Sequence, residues 1–444
     1  ADPASKIPSG SAGFVVAIFS LGAICISFPP VSSYFLDEWG RNGSIVLGSC
    51  IFLVGSLTQA RANSEAQMLA GRLAAGCAIG LLSTVVPLYQ SEVALAELRG
   101  GLTSTYQLMI TLGILLAALV DVPLVSQDDG WRLAIYLQAL PAFFLLCGMV
   151  LLPQSPRWLV QKGRQEEAMQ VLIGLRGEEQ AREEWQEIVD SFKAASALGD
   201  ASWRDSCRGR PGQLLLIGVA LQVLQQLVGM NAFMYFGPRL FRSLGLSENR
   251  FQTINNLINF LSTFPALCLA DSCGRRMLLI SGAIFMTIAC VAMGLVGELF
   301  FADVGTQSGQ LPNRTAQSII VAMVFLFVSN FAYSWGPIVW VYCGEMFPQR
   351  HRSWCIGVTT MANWVGNFLI AQFTPVLLEA IGFGTFFVFA AFTVAALALA
   401  LWLPETKGVP LEDIDRLFDG KLGVPRRYAE PAPERIGVDS PDSL

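Results

Sequence analysis

Apolar residues in this chain neither alternate nor stripe one face of a helix; they come in long runs broken by short polar loops. A helix that crosses a bilayer needs about 20 largely apolar residues. Eleven such stretches are legible, near 12–35, 45–60, 66–90, 101–124, 132–152, 212–236, 253–270, 277–301, 316–344, 355–378 and 381–403. The one long polar interval, residues 157–211, carries helical charge patterns such as RQEEAMQVLIGLRGEEQAREEWQEIVDSF. The pattern predicts an all-α membrane protein with two or three short surface helices in that interval. Their apolar members Ala168, Val171, Leu172, Trp185 and Ile188 are expected to turn one face toward the end of the bundle.

Polar punctuation at the ends of the runs repeats. Asp37, Gly40 and Arg41 (DEWGR) return as Asp271, Gly274, Arg275 and Arg276 (DSCGRR), and Glu92 with Arg99 returns at the same seven-residue spacing as Glu345 with Arg352. Pro153, Ser155, Pro156 and Arg157 (PQSPR) are echoed by Pro404, Glu405, Thr406 and Lys407. Three pairs in one order, displaced by roughly 230 to 255 residues, imply a chain built from two related halves. Counted from these signatures, the halves hold five and six helices. Together with an N-terminus that has no initiating Met and no apolar signal sequence, this predicts that a first helix of an original twelve is missing. The division expected is 1–156 for the first bundle, 157–211 for the linker, 212–408 for the second bundle and 409–444 for a tail with the Pro and charge content of disorder.

Composition agrees: 53% of the 444 residues are hydrophobic and 14% charged, outside the range of soluble domains. The net charge of −5 says little about partners. The distribution of cations says more. Of 29 Lys and Arg, 21 lie in the tail or in loops after the first, third, fifth, seventh and ninth runs, which makes those loops cytoplasmic by the positive-inside rule. Asn313-Arg314-Thr315 is a glycosylation sequon on the outer side, whereas Asn42-Gly43-Ser44 lies inside. Ten cysteines scattered in apolar runs without a CxxC pair suggest neither disulfides nor zinc. His351 is the only histidine, and no nucleophile–base or metal-ligand set is visible, which disfavours an enzyme.

These motifs, with QQLVGMN at 225–231, GPIVW at 336–340, GEMFPQRHR, the pair Asn363-Trp364 and LPETKG, resemble the sugar porter branch of the major facilitator superfamily from the first run to Gly408. The resemblance implies two six-helix bundles around a central cavity, working by alternating access as a monomeric transport unit in the plasma membrane. Repeat-built transporters hold substrate near the midplane between repeats. A neutral sugar offers hydroxyls that donate and accept, which Asn and Gln match without charge. The helical period puts Gln222, Gln225 and Gln226 on one face, followed after Gly229 by Asn231. The family's motifs carry a substrate role onto Gln225, Gln226 and Asn231, and by motif-anchored spacing onto Gln107, Asn259 and Asn363. Intramembrane amides also tie helices together, and Gln222 suits either use. Trp340 resembles the aromatic that closes over the cavity, and Gly336-Pro337 is the hinge expected in its helix. Val228 and Val339 depart from the family's pattern.

The resemblance also implies gating salt bridges between the halves, drawn from Asp37, Arg41, Glu92, Arg99, Asp271, Arg275, Arg276, Glu345 and Arg352. Glu38 and Asn42 stand where a basic residue is usual. Arg72, inside the run MLAGRLAAG, needs a partner or a route to the surface. In proton-coupled members the matching Arg faces an Asp on the first helix. Proton symport and passive transport therefore both stay open, with no cofactor beyond a co-transported proton. A porter of cyclitols such as inositol or quinate, and a non-transporting sensor or truncated remnant, are the competing readings.

Overall fold

A computed structural model describes residues 9–95, 97–124, 127, 129–197, 203–301, 314–409 and 414–418. Inside hydrocarbon every backbone N–H and C=O must find a partner within the chain, so long apolar runs become helices. The first bundle comprises α1 (Ser9–Ser27), α2 (Pro29–Tyr34), α3 (Gly40–Ala60), α4 (Glu65–Val93), α5 (Arg99–Leu124), α6 (Gly130–Leu137) and α7 (Ala139–Leu151). A polar interval follows with α8 (Pro156–Gln161), α9 (Gln165–Arg176), α10 (Glu178–Ala197) and α11 (Trp203–Ser206). The second bundle comprises α12 (Gly209–Leu227), α13 (Met230–Ser243), α14 (Glu248–Ser272), α15 (Arg275–Phe301), α16 (Arg314–Tyr333), α17 (Trp335–Glu345), α18 (Arg352–Ile381) and α19 (Thr385–Trp402).

All eleven apolar stretches are built of helix where described. Nine spans among the described residues are long and apolar enough to cross a membrane; one of them, Arg352–Trp402, holds both α18 and α19, and the described end of α1 is shorter. Asn313 and residues 419–444 lie outside the described residues.

Helices in lipid gain little from hiding apolar surface from one another, so small residues let backbones close up. A Cβ on Gly76 of α4 would run into the Phe19 carbonyl of α1, and one on Gly55 of α3 would sit 2.8 Å from the Ala75 amide nitrogen of α4. The two bundles meet where α5 packs on α14 and α1 on α18. The interval helices gather on one face, called here the linker face. Trp158, Leu159, Val160, Ala168, Leu172, Ala181, Ile188 and Val189 are buried in a small core of their own, with Val171 and Trp185 packed against it. Their apolar faces thus meet mainly one another. Docking onto the bundle is polar: Arg176 Nη2 donates to the Val93 carbonyl at 2.8 Å and Trp158 Nε1 to the Asp37 carbonyl at 2.8 Å.

Candidate functional site

Two interruptions in membrane helices assemble the centre. Gly229, in the left-handed region at φ +97°, separates α12 from α13. A Cβ there would press on the Phe389 ring at 2.7 Å, so the turn is closed to larger residues. The break lets Asn231 reach back and donate from Nδ2 to Gln226 Oε1. The second interruption is at Ser334, between α16 and α17. It precedes the expected Gly336-Pro337 hinge. Pro337 sits in the first turn of α17, where a missing N–H costs no intrahelical bond.

Gln225 Nε2 donates to the carbonyls of Trp335 (2.8 Å) and Gly336 (2.9 Å), while its Oε1 accepts from Asn363 Nδ2 at 2.7 Å. Gln226 Nε2 donates to Asn363 Oδ1 at 2.9 Å. Asn363 Nδ2 donates also to Gln222 Oε1 at 2.6 Å, which draws Gln222 into the same network. Five of the seven amides named from sequence or weighed beside them thus form one network, all from the second bundle. Gln107 approaches from α5 and makes no hydrogen bond among the described residues; a Cβ on Gly336 would stand 3.2 Å from its Nε2. Trp340 packs edge-on to Tyr106 of α5, ring centroids 5.5 Å apart. Asn259 is buried outside the network with Oδ1 unpartnered. Sequence reading missed the amides that accompany it on α14: Gln252 donates to Asn256 at 3.2 Å, and Asn255 is buried with neither amide atom partnered. The tandem Asn255-Asn256 inside an apolar run was the available signal.

At the linker face the repeated signatures fold into two copies of one cluster. In the first bundle Arg41 forms a bidentate pair with Glu92, both bonds 2.9 Å, and donates to the Leu36 carbonyl at 3.1 Å. Ser155 donates to the same Glu92, and Tyr89 to the Pro153 carbonyl at 2.8 Å. In the second, Arg275 pairs with Glu345 at 3.0 Å and donates to the Ala270 carbonyl at 3.0 Å. Thr406 donates to Glu345 at 2.9 Å, and Tyr342 to the Pro404 carbonyl at 3.0 Å.

The partners differ from those that sequence spacing suggests. Arg41 and Arg275 are held in buried pairs within their own halves, Arg41 with Glu92 and Arg275 with Glu345, while Arg352 of the second half lies close enough to act on the Glu92 charge. The reason is helical geometry. A guanidinium at the start of one helix reaches the carboxylate at the end of its neighbour. Arg99 Nη1 donates to the Val409 carbonyl at 3.2 Å, and Arg352 Nε to the Phe347 carbonyl at 3.1 Å. Arg276 donates its amide N–H to Glu405 at 3.0 Å and its guanidinium to the Leu401 carbonyl.

Two aspartates join the halves at the linker face, beside the Arg99–Val409 bond. Asp271, paired with Arg275 at 3.1 Å, accepts from the amides of Gly100 (2.9 Å) and Gly101 (2.6 Å) at the start of α5. Asp37 accepts from Ser353 Oγ at 2.7 Å at the start of α18. Asp271 therefore caps the N-terminus of α5 in the other half, where a carboxylate is favoured, while Asp37 reaches the first turn of α18 through a side-chain hydroxyl. Glu38 pairs with Lys162 at 3.1 Å, and Asn42 Nδ2 donates to the Met149 and Leu152 carbonyls at 2.7 Å. Arg72 is half-buried on α4, its Nε buried and unpartnered, with no carboxylate partner among the described residues.

Residues 4–418 match the family described as Sugar (and other) transporter. The chain belongs to that family. It is 36% identical to the H(+)/hexose cotransporter 1 of Parachlorella kessleri over 91% of this chain and 76% of that protein. It is 38% identical to the arabinose-proton symporter of Escherichia coli over 85% and 79%. Among solved structures, the proton:xylose symporter XylE bound to 6-bromo-6-deoxy-D-glucose superposes with a TM-score of 0.80 at 27% identity, covering 93% of this chain and 91% of that one. The inward-open XylE from E. coli gives 0.66 at 26% identity, covering 92% and 89%. This sugar-transporter chain is a multi-pass membrane protein with the two-bundle fold of the major facilitator superfamily.

Proposed function

We propose that this protein carries monosaccharides across a membrane by alternating access, with a proton as co-substrate and the linker face toward the cytoplasm of the cell. The observation that carries the reading is the central cluster of uncharged amides, Gln225, Gln226, Asn231 and Asn363, held where two broken helices meet. Such a cluster already satisfies itself, so a sugar exchanges hydroxyls for existing amide partners and neither state leaves a charge buried. Gln107, which has no hydrogen-bond partner among the described residues, approaches from α5, and Trp340 of α17 packs on the neighbouring Tyr106. Recognition on this reading joins the halves: a ligand that bridges α5 and α12 rewards their closing around it.

The capped linker face is the closed gate. Asp37 and Asp271 hold the halves together there, and the buried Arg41–Glu92 and Arg275–Glu345 pairs keep each capping loop in shape. The greater likeness to sugar-bound XylE than to its inward-open form agrees with that state. Proton coupling rests on the relatives named as proton symporters and on Arg72, a cation inside a membrane run.

The test is sugar-dependent thermal stabilisation of the purified full-length protein across a panel of D-glucose, D-galactose, D-xylose, L-arabinose, myo-inositol and quinate. Stabilisation by at least one monosaccharide, stronger than by either cyclitol, is the expected result. Stabilisation by inositol or quinate alone would replace the monosaccharide reading, and no response to any would remove both.

A further inference from the structure

Gln222 is used at one end only. Its Oε1 accepts from Asn363 at 2.6 Å, yet its buried Nε2 has no oxygen or nitrogen partner and only the weakly accepting Cys343 thiol beside it. One turn before Asn363 on α18, the Thr360 hydroxyl is also buried without a partner. Both side chains are 1% exposed, and both line one small cavity together with Ser83, Thr84 and Trp340. The cavity lies on the linker side of the central amides, beside Cys343 and Gly344 and short of Glu345.

An unpartnered polar group in a low-dielectric interior costs roughly 1–3 kcal/mol, and here two of them open on the same space. Thr84 Oγ1 donates to the Gly80 carbonyl at 2.8 Å, which leaves its lone pairs available to a donor. The walls come from both halves, α4 on one side and α12, α17 and α18 on the other. The space as it stands is about the size of one water. It widens whenever the halves part at the linker face, because the two sides then move apart.

Resting on the reading of the protein as a sugar carrier, we infer that this cavity is a second hydroxyl-binding subsite, through which a monosaccharide passes between the central amides and the linker face. Gln222 hands the sugar on: its oxygen belongs to the central network and its amide N–H to the inner step. Thr360 and Thr84 supply the hydroxyl partners, and the Trp340 ring offers an apolar wall to the carbons of the sugar ring.

A subsite on one side of the centre makes an asymmetric prediction. Half-saturating concentrations for the monosaccharide that best stabilises the wild type would be measured from each face, in right-side-out and inside-out membrane vesicles bearing the full chain. Losing one hydroxyl hydrogen bond in Thr360→Val is expected to raise the value at the linker face about fivefold, with less than a twofold change at the opposite face, and Thr360→Ser to restore it. Gln222→Leu, which also releases Asn363, is expected to raise both, the linker face more. Thermal stability without sugar should not fall in Thr360→Val, since that hydroxyl has no protein partner to lose. Equal shifts at the two faces, or none, would overturn the subsite while leaving the carrier reading intact. A wild type that transports no monosaccharide removes both.

Discussion

The linker face and the central cluster are built on opposite plans. At the linker face the two halves supply matching parts: Arg41 with Glu92 and Ser155 in one, Arg275 with Glu345 and Thr406 in the other. At the centre, Gln225, Gln226, Asn231 and Asn363 all come from the second bundle, and Gln107 of the first approaches them without joining their hydrogen bonds. Duplication suits a task both halves perform alike, which is holding a capping loop against the other half. Asymmetry suits recognition, because a sugar has no internal two-fold symmetry to be matched by a symmetric site.

The comparison breaks most visibly if one of the two buried ion pairs proves dispensable. Removing one carboxylate strands a guanidinium in the interior, a loss of about 3–5 kcal/mol. Glu92→Ala and Glu345→Ala should therefore both lower thermal stability in detergent, the second somewhat less because Arg275 keeps Asp271 as a partner. A large loss in one and none in the other would show that the repeated geometry does not mean repeated energetics.

The centre should respond in binding. Gln225→Ala removes two donors to α17 and one acceptor for Asn363, and sugar affinity should weaken about tenfold or more while membrane insertion persists. Gln107→Ala should weaken it less, since that residue has only the ligand to lose. Equal effects from the two would mean that recognition is shared between halves after all.

Smaller effects are expected at the caps. Asp271 accepts two backbone N–H groups and pairs with Arg275, whereas Asp37 accepts one hydroxyl. Loss of a cap costs about 1 kcal/mol, so Asp271→Asn should shift the population toward linker-side-open forms several-fold, and Asp37→Asn by less. Distances between spin labels on the linker ends of α5 and α14 would report the shift.

The smallest effect concerns His351, whose Nδ1 lies 2.9 Å from Ser206 Oγ where α11 meets the start of α18. Burial, aided by the charge of Arg350, holds its pKa below the ordinary 6.5, with Asp205 opposing. A proton then binds the unfolded chain more readily than the folded one, so the stability this site gives is full above pH 6.5 and is lost as the pH falls below it. Thermal stability measured between about pH 7.5 and about pH 5 should decline, with a shallower slope in His351→Gln.

Much of this architecture could be read in the chain because the bilayer imposes a coarse rule. An apolar run of some 20 residues must be a helix, and the paired motifs announced two halves. The breaks at Gly229 and Ser334 were half legible: a glycine free to take positive φ marks the first, but nothing in Tyr333-Ser334-Trp335 distinguishes the second from the Gly-Pro pair beside it. Partner choice in the linker-face clusters was not legible. Sequence spacing pairs Glu92 with Arg99, and only the packing of α3 against α4 brings Arg41 to that carboxylate. The orphaned amides of Gln222, Asn255 and Asn259 were equally hidden, because the lack of a partner is a property of the folded neighbourhood.

The central claim, that uncharged amides at the meeting of two broken helices bind a monosaccharide which then crosses, is tested most directly by counterflow in proteoliposomes. Vesicles loaded with an unlabelled monosaccharide from the panel should accumulate the same sugar in radiolabelled form when they carry the wild-type chain. Accumulation should fall at least several-fold with Asn363→Ala, which takes away the amide that links Gln222, Gln225 and Gln226. Accumulation that is absent in the wild type, or undiminished in Asn363→Ala, would contradict the account.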